Sequence, residues 1–265
     1  MRYGYKSVAL LFGIATVVGI VSERTHVAAQ TQLPERDEIR QSYRISQGAR
    51  SVVVTNIDGS VAIETTDGDT AEVYVVRFAR TRDDLKHDRV FVEQTPEGLV
   101  VRGETNQWRP WNMVQRTKVR QEVVLKVPRQ VDVTAKNVNG RVKIGEIAGS
   151  VKVNDVNGSV TVGQALGHAE ARSINGGLSM TLSRLDGRGL TIKGINGRID
   201  VRFADAQNAD VQANGINGGV DVDVPNLTFK KWTGQSKFRA QLGNGGSPIT
   251  LSNINGRVSL AGPRS

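Results

Sequence analysis

The stretch KNVNGRVKIGEIAGSVKVNDVNGSVTV, Lys136 to Val162, decides the fold. Its aliphatic residues return at a step of nine: Val133, Val142, Val151 and Val160 form one series, and Ile144, Val153 and Val162 another. Gly140, Gly149, Gly158 and Gly167 keep the same step. Every second step carries Asn-Gly. Asn139-Gly140, Asn157-Gly158 and Asn175-Gly176 are eighteen residues apart, and Asn196-Gly197 and Asn217-Gly218 follow at twenty-one. Asn255-Gly256 recurs after an interruption, and Asp58-Gly59 reads as a diverged copy. Repetition of this length marks stacked units. Each unit buries Val/Ile pairs that it could not bury alone.

The residue types explain the step. Val and Ile at i and i+2 point to one face of a pleated strand. The residues between them, among them Lys143, Lys152, Thr161 and Ser179, point outward. A corner between strands needs a positive φ, which Gly adopts freely and Asn tolerates. The prediction is an all-β chain, a single-stranded β-helix or β-solenoid with repeats of 18 to 21 residues. Alternate corners differ, Asn-Gly against Ala-Gly or Leu-Gly, which suits two strand steps per turn with like corners stacked. Because Asn-Gly is also a hairpin signal, an antiparallel β meander is the alternative. Asn side chains at equivalent corners are expected to hydrogen-bond from turn to turn.

Outward from the repeat (129–224), a block of strands over 43–128 precedes it, with TRDDLKHDR its one plausible helical turn. Residues 30–42 are polar and read as a flexible leader. Residues 225–265 read as the closing turn and cap, including the final LSNINGRVSL. Residues 1–29 read as a cleaved signal peptide: Arg2 and Lys6, an apolar run from Val8 to Val21, then Val27-Ala28-Ala29. That implies export to the periplasm, cell envelope or exterior, with no integral membrane segment after cleavage. The absence of cysteine excludes disulfides and a lipid-anchored lipoprotein. The formal charge of +9 falls to about +7 without the signal, which favours anionic partners.

Catalytic chemistry has little to stand on. Without His26, only His87 and His168 are left to serve a triad or a zinc site, and they lack ligand spacing. His168 falls in the corner slot of Arg141, Ser150 and Ser159 and is expected to be solvated. Asp200 and Asp221, one repeat apart with Asp223 nearby, are expected on neighbouring strands, with Arg202 opposite Asp223. Cross-strand ion pairs account for them better than a paired-acid site. No catalytic residue, metal or cofactor is expected.

Two groups are candidates for ligand binding. Trp108, Arg109, Trp111 and Arg116 sit in a loop that breaks the repeat. Aromatic rings stack on sugars, and arginines pair with phosphate or carboxylate. Arg141, Lys143, Lys152, Lys193 and Arg198 are outward cations of the repeat, read either as a ladder on one face that follows a charged polymer or, the commoner case, as edge guards and solvated positions. Asn139-Gly140, Asn157-Gly158, Asn175-Gly176, Asn196-Gly197, Asn217-Gly218 and Asn255-Gly256 are read as structural turns.

The words SINGG, GINGR, GINGG and NINGRVSL, with VTNIDGSVAIE before them, resemble the bacterial putative-adhesin family of β-strand-repeat proteins of unknown function. Its relatives include the "GIN" head domain of autotransporter adhesins. The resemblance covers about residues 43 to 262 and implies an exported β-helical fold without an established activity. The expected function is non-enzymatic: an envelope-associated adhesion or binding module for an anionic glycan, lipid headgroup or other envelope polymer. The alternatives are a structural or sensory envelope protein with a protein partner, and a polysaccharide-active β-helix enzyme. Nucleic acid is not an expected partner.

Overall fold

Alternating aliphatic and polar residues make strands almost throughout the described residues, which are 33–45, 50–105, 119–232 and 237–263 of a computed structural model. They belong to the unit Leu33–Ser265. The predicted signal peptide, 1–29, lies outside the described residues, as do Trp108, Arg109, Trp111 and Arg116. The first block holds β1 (Glu35–Arg44), β2 (Ser51–Thr66), β3 (Thr70–Ala79), the short helix α1 (Arg82–His87), β4 (Asp88–Thr95), β5 (Gly98–Thr105) and β6 (Arg120–Pro128). The repeat holds β7 (Asp132–Asn139), β8 (Val142–Ile147), β9 (Val151–Val156), β10 (Val160–Ala165), β11 (Ala169–Asn175), β12 (Leu178–Leu182), β13 (Leu190–Asn196), β14 (Ile199–Phe203), β15 (Ala209–Asn217) and β16 (Val220–Asp223). The chain closes with β17 (Leu227–Trp232), β18 (Lys237–Leu242), β19 (Ser247–Asn255) and β20 (Val258–Ala261). α1 is where the sequence places its one helical turn. The hydroxyl of its N-cap, Thr81, accepts a hydrogen bond from the Asp84 amide at 3.2 Å.

Pairing in the repeat is parallel and skips one strand. β8 pairs β10, β10 pairs β12, and β12 pairs β14. β7 pairs β9, β9 pairs β11, and β11 pairs β13. Two ladders result. The long strand β2 enters both: its first half pairs β5 and β7, and its second half pairs β6 and β8. Antiparallel strands extend the first ladder through β3 to β1 and the second to β4. The aliphatic residues meet inside, with Val142, Ile144, Val151, Val153, Leu178 and Ile192 each at most 1% exposed. Their outward neighbours make β8, β9 and β10 each open buried, exposed, buried.

Two expectations need correction. The leader read at 30–42 is not flexible along its length, because β1 starts at Glu35 and pairs antiparallel with β3 through Arg44. Its alternating charges protect a sheet edge from further pairing rather than mark a disordered segment. The second correction concerns the end of the chain. β19 lies between β13 and β15, and β20 lies between β14 and β16. The final repeat is an inner rung. The outermost strand of the first ladder is β16, and the hairpin β17–β18 closes the second ladder by pairing antiparallel with β15.

Candidate functional site

The Asn-Gly corners build a continuous column. Each asparagine Nδ2 donates to the carbonyl of a neighbouring corner: Asn157 to Asn139 at 3.0 Å, Asn175 to Asn157 at 3.2 Å, Asn196 to Asn175 at 3.1 Å, Asn255 to Asn196 at 3.2 Å and Asn217 to Asn255 at 3.3 Å. Asn139 donates to the Asp58 carboxylate at 2.9 Å, so the diverged copy heads the column. The expected asparagine ladder is present.

The word Gly-Ile-Asn-Gly now has a physical reading. Its first position takes a left-handed bend, filled by Gly194 and Gly215 at φ +67 and, in other rungs, by Asn137, Asp155, Ser173 and Asn253 at φ between +52 and +54. The Ile is core, and the Asn joins the column. The second Gly stands where its neighbour's backbone passes: a Cβ on Gly158, at φ +155, would lie 2.0 Å from the Gly140 carbonyl oxygen. These corners fix the register. Register in turn decides which outward side chains become neighbours.

On the outer face of the first ladder the charges are mixed. Arg198 reaches Asp200 at 3.8 Å, and Arg257 reaches Asp221 at 3.4 Å. Asp200 and Asp221 are not neighbours, as the sequence reading had them. The inserted β20 puts Ser259 between them, and Ala261 between Arg202 and Asp223. At one strand spacing of about 4.8 Å per step, the two carboxylates stand two steps apart. The paired-acid arrangement is therefore not assembled. His168 is likewise not solvated. It is 9% exposed, with Nδ1 2.9 Å from the Gly189 carbonyl and Nε2 3.7 Å from Glu170. The wide corner before β13 folds over it.

The predicted cation ladder is divided. Arg141 precedes β8, and Lys143 lies on it between Ala62 and Thr161, in the first ladder. Lys152 lies in the second ladder, between Thr134 and Glu170. The two ladders do not bring these three cations into one row.

The second ladder carries a different row. In register across it run Lys136 on β7, Asn154 on β9, Arg172 on β11, Lys193 on β13, Ser252 on β19, Asn214 on β15 and Lys237 on β18. Beside it run Thr134, Lys152, Glu170, Thr191, Thr250, Gln212 and Arg239, ending on Lys231 of β17. Lys136, Lys152, Lys193, Lys231, Lys237 and Arg239 are all exposed. The acid within these rows is Glu170, which accepts from Arg172 Nε at 2.7 Å. The sequence reading named Lys152 and Lys193 of this face but mixed them with first-ladder cations, although Lys136, Arg172 and Lys193 share one signal: each stands three residues before the Asn of an Asn-Gly corner.

No family model matches the chain, and no curated protein does. It resembles several solved structures. One is named a "putative cell adhesion protein" from Clostridium sporogenes, 11% identical over 86% of this chain and 100% of that one, with a TM-score of 0.43. Two are named "putative adhesin": one from Bacteroides fragilis (8% identical, 86% and 98% covered, TM-score 0.25) and one from Parabacteroides distasonis (11%, 85% and 97%, TM-score 0.29).

Proposed function

We propose that the chain is an exported, non-enzymatic β-solenoid that binds an anionic envelope polymer, an acidic glycan foremost, through the outer face of its second ladder. The coil is supported by the parallel pairing of strands two apart and by the unbroken asparagine column. The observation that carries the binding reading is the imbalance between the two outer faces. The first ladder sets arginines against aspartates, whereas the second exposes seven cations in two adjacent rows with one acid among them, Glu170, bonded to Arg172. An excess of one sign on one face attracts a polyanion over a distance set by the salt. Adhesion, on this reading, is the capture of such a polymer at the envelope. Among the described residues no helix is long and apolar enough to cross a membrane.

The test reverses charge on one face at a time. The triple variant Lys136→Glu/Lys193→Glu/Lys237→Glu is expected to lose at least about tenfold in affinity for an acidic glycan in 0.1 M salt, where exposed charges still act over about 10 Å. The double variant Arg141→Glu/Lys143→Glu is expected to stay within about threefold of the parent. Titration calorimetry on both decides the point. Equal losses in the two would show that only net charge matters.

A further inference from the structure

We infer that the ligand of this face is a linear, hydroxylated polyanion that lies across the strands, along the direction in which they stack. The inference rests on the binding reading above and gives it a geometry. Its first support is spacing. Neighbouring strands stand about 4.8 Å apart. In the main row Arg172 is two strand steps from Lys136, Lys193 is one step further, and Lys237 three more. From Lys136 to Lys237 the row spans six steps, about 29 Å. A small anion meets one or two of these cations. An extended chain running across the strands meets all of them without bending, because the parallel register holds them in line.

The residues between the cations are the second support. Asn154, Ser252 and Asn214 fill the gaps in the main row, and Thr134, Thr191, Thr250 and Gln212 fill the adjoining one. Each offers a hydroxyl or an amide that both donates and accepts, save Asn154, whose Oδ1 is buried. A chain of hydroxyl-bearing units would find hydrogen bonds between its charged contacts. Nucleic acid bases would find polar partners but no ring to stack on. From β7 to β18 these two rows contain no aromatic side chain, so there is no platform on which bases could stack. Phe91 continues the main row on the other side of Lys136, three strand steps away on β4, where its ring is covered by the Arg102 guanidinium. The acids near the track are Glu170, bonded to Arg172, Asp155, at the bend beside Asn154, and at its margin Asp132 and Asp210, which accept from the Ser150 and Gly246 amides. The first two make the middle of the track less cationic than its ends.

The experiment is a length series. Galacturonate oligomers of defined size, from monomer to about 30 Å and beyond, are titrated into the full chain. Affinity is expected to climb with length and to level off once the oligomer spans Lys136 to Lys237. Lys136→Glu and Lys237→Glu, at opposite ends of the track, are each expected to weaken the long oligomer about tenfold and the dimer less than twofold. Both positions are exposed, and unchanged melting temperatures would confirm that the variants fold. Affinity independent of length, or a long oligomer indifferent to one end, would overturn the track while leaving the face a binding surface. Polyphosphate of equal length binding more tightly than galacturonate would overturn the requirement for hydroxyls. No binding of any polyanion would remove the underlying reading itself.

Discussion

A chain ending at Leu242 loses most of its stability. The deletion removes β19 and β20, which sit inside the stack, between β13/β14 on one side and β15/β16 on the other. Ile249, Leu251, Ile254, Val258 and Leu260 go with them, none more than 2% exposed. At about 2 kcal/mol for each buried aliphatic side chain, the loss is about 10 kcal/mol. That is as large as the whole stability of an ordinary domain. The backbone bonds on both sides of the missing rung go as well, and the asparagine column breaks between Asn196 and Asn217. The expected result in a thermal melt is loss of a cooperative transition, or a fall in Tm of more than about 20 °C. A terminal cap would behave differently, since an end rung covers one neighbour only: Val220 and Val222 of β16 are just half-buried. A truncated chain melting within a few degrees of the parent would mean that β15/β16 docks directly on β13/β14, and the inserted order would be wrong.

Gly158→Ala is expected to cost about 4 kcal/mol or more, beyond the range of an ordinary point substitution. Two effects combine. The residue sits at φ +155, where L side chains are strained, and its new Cβ would stand 2.0 Å from the Gly140 carbonyl oxygen, which is backbone and has no room to swing away. The next glycine of the column, Gly176, is in turn built against the Gly158 carbonyl, so a shift would spread along the stack. Gly194→Asn is the control. It changes a glycine of the same motif at φ +67, with no atom nearer than 3.6 Å to the added Cβ, at a bend where Asn137 and Asn253 already stand in other rungs. Its cost is expected to stay within about 0.5 kcal/mol. Denaturant melts of the two variants separate them. Similar losses in both would show that the motif tolerates neither glycine's replacement, contrary to the geometry.

The aliphatic period, the Asn-Gly corners with Asp58-Gly59 as a diverged copy, and the asparagine ladder were legible in the sequence because each rests on local chemistry: alternation, positive φ and a side chain that bonds its own kind. The order of the rungs was not. Asn255 carries the same signals as Asn217, and nothing local says that β19 slips beneath β15 instead of stacking beyond it. That one non-local fact explains why Asp200 and Asp221 were placed together and are not. The division of Arg141 and Lys143 from Lys152 has a simpler cause. A step of nine moves a residue to the other ladder, whereas a step of eighteen or twenty-one returns it to the same one. Cations counted along every step therefore mix two faces. Aligned on the Asn of each corner, Lys136, Arg172 and Lys193 fall into one row.

The central claim is that one face of the stack meets the polymer, and amine labelling tests it most directly. The chain is treated with a lysine acylating reagent with and without a saturating acidic glycan, and each site is read by mass spectrometry. The face described here predicts protection of Lys136, Lys152, Lys193, Lys231 and Lys237, with Lys143 and Lys126 on the first ladder labelled as before. Protection of Lys143 and Lys126 instead, or equal protection of both faces, would contradict it.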